Sequence, residues 1–191
     1  MSFLVPARPL HLSIARRAFI ARSTMTLSAA AVALLAGRDA LAKGSEATEA
    51  DVRILNGALA SELEAIAAYQ VGAESGLLQK PVLDLAVTFQ GHHRAHAALL
   101  SSTVTKLGGQ PASARASYAF PTESLKNQSD VLRFAARLEK GAVSAYLGAI
   151  PAFGNRDLAK AAGSILGDEA MHWAVLRQAL GENPVPVAFV S

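Results

Sequence analysis

Two stretches of the chain, LNGALASELEAIAAY at residues 55–69 and LRFAARLEKGAVSAY at residues 132–146, align at a constant offset of 77 positions. In both, apolar residues recur every three or four positions, which is the period of an amphipathic α-helix with one buried face. Each stretch also carries one glutamate and one tyrosine on that face. The pattern therefore predicts two copies of one helical unit. The identical pairs are Leu55/Leu132, Ala58/Ala135, Glu62/Glu139, Ala65/Ala142, Ala68/Ala145 and Tyr69/Tyr146.

Each copy is followed by a second helical segment, and these two segments also correspond, at an offset of 76 positions. His96 corresponds to His172, and His93 corresponds to Glu169. Alanine and leucine are common in this chain, so the matches at Glu, Tyr and His carry the argument. Together the four segments predict two helical hairpins related by a pseudo-two-fold axis.

Residues that begin or end helices delimit four predicted helices. Gly76, Gly108 and Gly181 follow three of them, in the position where glycine commonly ends a helix. Pro81 suits the first turn of the second helix, and Ser129 is expected to cap the third. The predicted helices cover about residues 51–75, 81–107, 130–147 and 156–180.

The link between the second and third helices, residues 108–128, is rich in Gly, Pro, Ser and Thr and has no helical period. At about 3.3 Å per residue, an extended loop of this length reaches roughly 60 Å. The second helix, at about 1.5 Å per residue, is only about 40 Å long. The loop can therefore return along the whole bundle and leave the third helix parallel to the second. The predicted fold is an all-α four-helix bundle of two antiparallel hairpins joined by one long crossover loop.

Polar side chains on the inward stripes concentrate at one level of the predicted bundle. Residues three apart share a helix face, so each of two helices can direct a pair of side chains to one point. Several buried carboxylates without a cation would repel one another, so a central metal site explains the clustering. The six candidate ligands are Glu62, His93, His96, Glu139, Glu169 and His172.

Neighbouring polar residues have less certain roles. Tyr69 and Tyr146 are expected to hydrogen-bond the ligand carboxylates, although an interior tyrosine can satisfy its hydroxyl on any acceptor. His92 competes with His93 for the inward direction and is expected at the periphery. Asp168 is expected to point away from the ligand face.

The N-terminus has the features of an export signal. Residues 1–42 contain five arginines and one acidic residue, including the pair Arg16-Arg17. An uncharged stretch rich in Ala and Leu follows at residues 23–37, and Ala40-Leu41-Ala42 supplies a small-x-small cleavage pattern. The paired arginines predict a twin-arginine signal, recognised by the export machinery of that name and cleaved after Ala42. The protein is then expected in the periplasm or otherwise outside the cytoplasm. A linker at residues 43–50 is expected to precede the helical domain, and an irregular tail at residues 182–191 to follow it.

Composition excludes several classes of function. The 191 residues include no cysteine, which excludes disulfides, thiolate metal sites and a cysteine nucleophile. Residues 1–42 hold five of the 18 Lys and Arg and one of the 15 Asp and Glu, so 13 basic and 14 acidic residues remain. A nearly neutral domain without a basic cluster argues against nucleic-acid binding. No apolar run reaches the about 18 residues that a membrane span needs.

Residues 55–69, with Glu62 and Tyr69, make the chain resemble exported bacterial ferritin-like domain proteins, over about residues 50–181. The resemblance implies a ferritin-like bundle with a dimetal-carboxylate site, built from one Glu on each of two helices and Glu-x-x-His on the other two. The second helix departs from this pattern, because His93 stands where the family has Glu. Three carboxylates then face the four positive charges of two divalent ions.

Three functional hypotheses remain open. The first is an exported metal protein holding one or two Fe or Mn ions, with O2, peroxide or Fe(II) oxidation chemistry in stress defence or metal handling. The second is a non-enzymatic envelope module with a structural Zn or a degenerate site, since His and carboxylate ligands do not select among these metals. The third is a metal-free bundle with vestigial ligands. The sequence leaves the oligomeric state open, with a homo-oligomer among the candidates.

Overall fold

The computed structural model describes residues 46–190, and the predicted signal peptide lies outside this range. The described residues form four α-helices and two short 3-10 turns, with no β-strand among them. The 3-10 turns are Thr122–Ser124 and Ile150–Ala152. The helices are α1 (Glu46–Glu74), α2 (Lys80–Lys106), α3 (Gln128–Ala149) and α4 (Arg156–Ala179).

The helices are arranged as two hairpins, α1 against α2 and α3 against α4. The C-terminal end of α2 lies beside the start of α1, where Asn56 hydrogen-bonds the backbone of Gln110 and Ala112. At the opposite end, the Gln128 side chain at the start of α3 accepts a hydrogen bond from the backbone N–H of Gln79. The loop between α2 and α3 therefore runs the length of the bundle, and α3 is parallel to α2. The predicted all-α bundle is confirmed.

The helix ends follow the predicted glycines but not every predicted cap. Gly76, Gly108 and Gly181 all adopt positive φ, the conformation that favours glycine after a helix. The expectation for Ser129 was wrong, because Asn127 is the N-cap of α3 and its side chain accepts from the backbone N–H of Asp130. Ser129 instead lies in the first turn.

Helix α1 begins earlier than the sequence predicted. It starts at Glu46, so residues 46–50 of the expected linker are helical. Asp51 in its second turn is buried and accepts hydrogen bonds from the backbone N–H groups of Gly154 and Asn155. These bonds satisfy backbone groups at the start of α4 and fix that end of α4 to α1. The hydrogen bonds of Asp51, which sequence periodicity did not single out, connect this early part of α1 to the start of α4.

Two apolar clusters fill the interior, one toward each end of the bundle. The first is built around Leu59, Val104 and Leu158, and the second around Phe89 and Trp173. Burial of these side chains supplies the main driving force for folding, at about 25 cal/mol per Å² of apolar surface. The level between them, at the middle of all four helices, is occupied by charged groups. No described helix is both long enough and apolar enough to span a membrane.

Candidate metal centre

The six predicted ligand residues converge at the middle of the bundle, each helix contributing from its central turns. Glu62, His93, Glu139, Glu169 and His172 are buried, with at most 3% of any of them exposed. His96 is nearly so, with 13% of its side chain accessible. The structure thus brings together every residue that the sequence pattern assigned to this level.

One half of the cluster is formed by α1, α2 and α4. His96 Nδ1 lies 3.1 Å from Glu169 Oε1 and 3.6 Å from Glu62 Oε2. A carboxylate oxygen from each of two glutamates and an imidazole nitrogen therefore face one point. Glu62, His96 and Glu169, together with His93, have ligand atoms that all lie within 4.8 Å of one another.

The other half repeats this arrangement with α3 in place of α1. His172 Nδ1 lies 3.6 Å from Glu139 Oε1 and 3.8 Å from Glu169 Oε2. His93, Glu139, Glu169 and His172 again have ligand atoms within 4.8 Å of one another. Glu169 offers one oxygen to each half, so it lies where a bridging carboxylate would lie.

His93 lies between Glu62 and Glu139. Its Nδ1 is 2.8 Å from Glu62 Oε2, and its Nε2 is 3.3 Å from Glu139 Oε1. This placement answers the question that the sequence left open, because His93 is the inward residue and His92 keeps 43% of its side chain exposed. The residue that departs from the family pattern therefore links the two halves of the cluster.

Two tyrosines hold the same two glutamates from behind. The Tyr146 hydroxyl donates to Glu62 Oε1 at 2.6 Å, and the Tyr69 hydroxyl donates to Glu139 Oε1. Burial, followed by the charge of the neighbouring carboxylate, raises the pKa of both hydroxyls well above the ordinary value. Both tyrosines stay protonated and act as hydrogen-bond donors that orient the carboxylates.

Asp168 lies beside the cluster and was missed by the sequence reasoning. Its Oδ2 is 3.4 Å from His96 Nε2 and 3.3 Å from His172 Nε2, so it lies off the inner ligand face, as expected, but contacts two candidate ligands, which the sequence did not predict. The carboxylate contacts the imidazoles from the outer side, and the spacing of four residues to His172 was the signal that could have revealed it. Contact of the carboxylate with Nε2 leaves Nδ1 directed inward, toward the glutamates.

Asp168 also changes the charge comparison. Glu62, Glu139 and Glu169 offset three of the four positive charges of two divalent ions, and Asp168 supplies the fourth carboxylate. Asp168 therefore supplies the negative charge that is missing because His93 stands in place of a glutamate. It does so from a position against the imidazoles and not at the centre of the cluster.

Several buried atoms of the cluster lack a hydrogen-bond partner within the described structure. Such atoms are rare in folded proteins because each carries a desolvation penalty of about 1–3 kcal/mol. They all belong to candidate ligands, and all are atom types that bind metals. They are His96 Nδ1, Glu139 Oε2, Glu169 Oε1, Glu169 Oε2 and His172 Nδ1. The donor set thus fits a metal ion in each half, with Glu169 between them.

Without a metal, the three inner histidines are held as imidazolium ions. Burial lowers the pKa of His93, but hydrogen bonds to Glu139 and Glu62 outweigh it and raise that pKa to about 9. Burial likewise lowers the pKa values of His96 and His172, while bonds to Asp168 and the glutamates raise both to about 11. A metal ion must therefore displace protons from this cluster.

The glutamates respond in opposite directions. Burial raises the pKa of Glu62 and Glu139, yet hydrogen bonds from the histidines outweigh burial and leave both values below the ordinary range. Burial also raises the pKa of Glu169, and the nearby charge of Glu139 helps to keep it above the ordinary value despite His172 and His96. Glu169 is the carboxylate that most needs a cation in order to ionise.

A cavity of about 450 Å³ reaches the cluster from the α1–α3 side. Glu62, His93 and Glu139 contribute to its lining, so it opens directly onto the polar centre. The space between α1 and α3 stays open because the side chains that face it are small. Those residues include Gly57, Ala58, Ser61, Ala65, Gly141, Ala142 and Ala145.

Comparison with known proteins agrees with this architecture. The sequence model of a family described as "Ferritin-like domain" matches residues 50–182. A search of curated protein sequences found no match.

Two solved structures have a similar fold. A conserved hypothetical protein from Mycobacterium tuberculosis superposes with a TM-score of 0.65 at 24% identity, covering 75% of this chain and 99% of that one. A ferritin-like, diiron-carboxylate protein from Bacillus anthracis superposes with a TM-score of 0.61 at 21% identity, covering 72% of this chain and 99% of that one. At these identities the likeness extends to the fold alone.

Proposed function

Because the chain belongs to the ferritin-like domain family, we propose that its bundle core binds two divalent ions, iron or manganese, and supports oxidation chemistry with O2 or peroxide. The observation that carries this proposal is the set of unpartnered buried atoms on Glu139, Glu169, His96 and His172. Polar atoms that are buried without a partner cost free energy, and a cation bound between them would offset that cost.

The ligands divide into two sets around Glu169. Glu62 and His96 would hold one ion, Glu139 and His172 would hold the other, and Glu169 would bind both. His93 lies between the two sets, with one ring nitrogen toward each outer glutamate, and would be available as a further ligand. Tyr69, Tyr146 and Asp168 would orient these ligands through hydrogen bonds.

When bound, redox-active ions of this kind supply the electrons for reduction of O2 or peroxide, or are themselves oxidised from the divalent state. The chain contributes the surroundings of that chemistry. The cavity between α1 and α3 admits a small molecule to Glu62 and Glu139, while the apolar clusters exclude bulk water from both ends. The two tyrosine hydroxyls would hold Glu62 and Glu139 in the same orientation when bound ions offset the charge of these carboxylates.

The test measures metal binding and oxidation separately. The purified chain is stripped with chelator, reloaded with Fe(II) or Mn(II) under argon, and its metal content is determined by atomic absorption. We expect two ions per chain and, after Fe(II) loading and exposure to O2, a near-UV absorption band that grows with time. Absence of any tightly held ion would overturn the proposal, and tight binding without the band would overturn its oxidation chemistry.

The proposed location is outside the cytoplasm, in stress defence or metal handling. Arg16-Arg17, the following uncharged stretch and Ala40-Leu41-Ala42 support this proposal. The full chain and an Arg16→Lys/Arg17→Lys variant are expressed in a bacterium, and the cell fractions are compared. We expect exported protein with its N-terminus at Lys43 for the native chain, and retention of the precursor in the cytoplasm for the variant. Equal export of both would contradict a twin-arginine signal.

A structural Zn site in a non-enzymatic envelope protein is the second candidate. His93 favours it, because its two ring nitrogens already satisfy Glu62 and Glu139 without an ion. In this case the chain would bind Zn(II) tightly and show no Fe(II) oxidation. The metal content and the near-UV band therefore distinguish the two candidates.

A further inference from the structure

A third histidine-containing group lies on the outer side of the core cluster, where α2 faces α4. His92 Nδ1 is 2.8 Å from His172 Nε2 and 3.1 Å from Asp168 Oδ2. Asp168 Oδ2 is in turn 3.3 Å from His172 Nε2. Three atoms of metal-binding type therefore form a nearly equilateral triangle.

The size of this triangle matches one face of an octahedral metal site. With metal–ligand bonds of about 2.1 Å, adjacent ligands of an octahedral ion lie about 3.0 Å apart. The observed edges of 2.8, 3.1 and 3.3 Å bracket that value. Two histidines and one carboxylate on a single face are also a recurrent ligand set for divalent iron and related ions.

We propose that His92, Asp168 and His172 form an outer binding site for a divalent transition-metal ion, separate from the two positions of the core. Bound in this way, the ion replaces the hydrogen bonds that the three side chains make with one another and releases the proton of His172 Nε2 to solvent, so that His172 would be an imidazolate when the core is also filled. It therefore binds more weakly than a core ion, because several core ligand atoms, among them both oxygens of Glu169, have no hydrogen bond to give up.

The outer group is also open to solvent, unlike the core. His92 has 43% of its side chain exposed and Asp168 has 23%, whereas His172 has only 2%. The remaining coordination positions of an ion held by this triangle would therefore be filled by water. Exposure on this side gives a divalent ion access without crossing either apolar cluster.

His172 connects the outer site to the core. Its Nε2 belongs to the triangle, while its Nδ1 faces Glu139 and Glu169. An ion on the outer site is thus separated from the core by the width of one imidazole ring, and the ring is held in place by stacking on Phe89, with centroids 4.0 Å apart. The site itself does not depend on the proposed function, but its role as a loading position for the core does.

The experiment uses the full chain, stripped of metal and titrated with Zn(II) by calorimetry, together with Mn(II) broadening of histidine NMR signals. His92→Gln removes an outer ligand and leaves every core ligand intact. Glu139→Gln is the matched core variant. We expect the native chain to show a second, weaker class of binding sites with about one ion per chain. His92→Gln should weaken the affinity of this class more than about 10-fold, and Glu139→Gln should retain it. After the tighter positions are filled with diamagnetic Zn(II), so that no Mn(II) enters the core, added Mn(II) should broaden the His92 imidazole signals in both the native chain and Glu139→Gln.

Identical titrations of the native chain and His92→Gln, or His92 signals that Mn(II) does not broaden, would overturn the outer site. If the weaker class is present and is lost in His92→Gln while no tighter class exists, the outer site is supported and the core proposal fails. Slower Mn(II) uptake by the core in His92→Gln would support the loading role, and an unchanged rate would overturn that role while the binding site stands.

Discussion

Glu169 is the residue on which both halves of the core depend. Its two oxygens face His96 and His172 respectively, and neither oxygen has a hydrogen-bond partner. Burial of this carboxylate costs solvation that the neighbouring imidazolium groups offset only in part, and a metal ion between the two histidines would offset more of it. The position is therefore explained by binding rather than by folding.

Glu169→Gln should abolish stabilisation by metal. Addition of an ion at about 1,000 times its Kd stabilises a protein by about 4 kcal/mol, and the variant should show almost none of this gain because each half loses a charged ligand. Thermal unfolding with and without Mn(II) measures the effect. The control is Glu123→Gln, which changes an exposed glutamate in the crossover loop and should retain the full shift. A variant that still responds to Mn(II) like the native chain would contradict the bridging position of Glu169.

His93 has opposite effects on the metal-free and the metal-bound states of the site. Its imidazolium lies between Glu62 and Glu139 and offsets their charge in the absence of an ion. In the metal-bound state the same positive charge competes with the ion, so His93 must lose a proton. A glutamate at this position, as in the family pattern, would favour the ion and disfavour the empty site.

His93→Glu should therefore destabilise the metal-free chain and tighten metal binding. Removal of one partner from a buried ion pair costs roughly 3–5 kcal/mol, and the added carboxylate increases the local repulsion. We expect a lower midpoint of urea unfolding in chelator and at least a tenfold tighter Mn(II) affinity, about 1.4 kcal/mol. His93→Gln, which removes the imidazolium without adding charge, should destabilise the chain without tightening Mn(II) binding. Weaker Mn(II) binding by His93→Glu would show that His93 is not in a ligand position.

Sequence periodicity could place the inner residues but not the residue that supports them. Glu62, Glu139, Glu169 and the histidines lie in phase with leucines on each helix, so their convergence follows from helix geometry. Asp168 lies about 100° away from Glu169 on the same helix, and its role depends on how closely α2 approaches α4. That distance is set by the packing of four helices together, which no single-helix pattern contains.

At the scale of the helices, glycine has opposite effects at the ends and in the middle. Gly76 follows α1 with φ of 70°, where a side chain is strained. Gly91 lies inside α2, and a Cβ added there would meet no other atom within 4 Å. The first residue is required by the turn between α1 and α2, whereas the second only weakens the helix.

Gly76→Ala and Gly91→Ala should therefore shift stability in opposite directions. We expect Gly76→Ala to lower the free energy of unfolding by about 1–2 kcal/mol and Gly91→Ala to raise it by about 0.5–1 kcal/mol. Urea unfolding of the chelator-treated chain measures both, because metal binding would otherwise obscure small differences. Shifts of the same sign would contradict the conformations assigned to these two glycines.

The helix boundaries show which helix ends can be predicted from local sequence. The glycines that end α1, α2 and α4 act through their own backbone conformation, and they were predicted from sequence alone. The start of α3 was misassigned because Asn127 and Ser129 are both good caps, and loop packing decides between them. The early start of α1 depends on the contact of Asp51 with Gly154 and Asn155, which are far away in sequence.

For the molecule as a whole, the paired hairpins place the polar layer between two apolar clusters. The clusters stabilise the bundle independently of the centre, so the fold can carry a layer of buried charge that does not itself favour folding. The α1–α3 side of that layer opens to the cavity, and the α2–α4 side opens at His92 and Asp168. The two openings lie on opposite faces of one site.

The pH dependence of stability should differ between the metal-free and metal-loaded chain. The raised pKa values of His93, His96 and His172 mean that their contribution is complete below about 6.5, the ordinary histidine value, and is lost as pH rises through about 9 to 11. The lowered pKa values of Glu62, Glu139 and Asp168 mean that their contribution is present above the ordinary range and is lost as pH falls. The metal-free chain should be most stable between about pH 4.5 and 6.5.

Metal binding reverses this trend above pH 6.5. An ion must displace protons from the imidazolium groups, so its apparent affinity rises with pH, and with it the stabilisation that it provides. Thermal unfolding in chelator should therefore give a Tm that falls from pH 6.5 to 8.5, while unfolding with excess Mn(II) should give a Tm that rises over the same interval. Glu123→Gln serves as the control, since it changes an exposed glutamate in the crossover loop and should preserve the divergence. Parallel curves with and without Mn(II) would mean that the ion does not bind through the buried histidines.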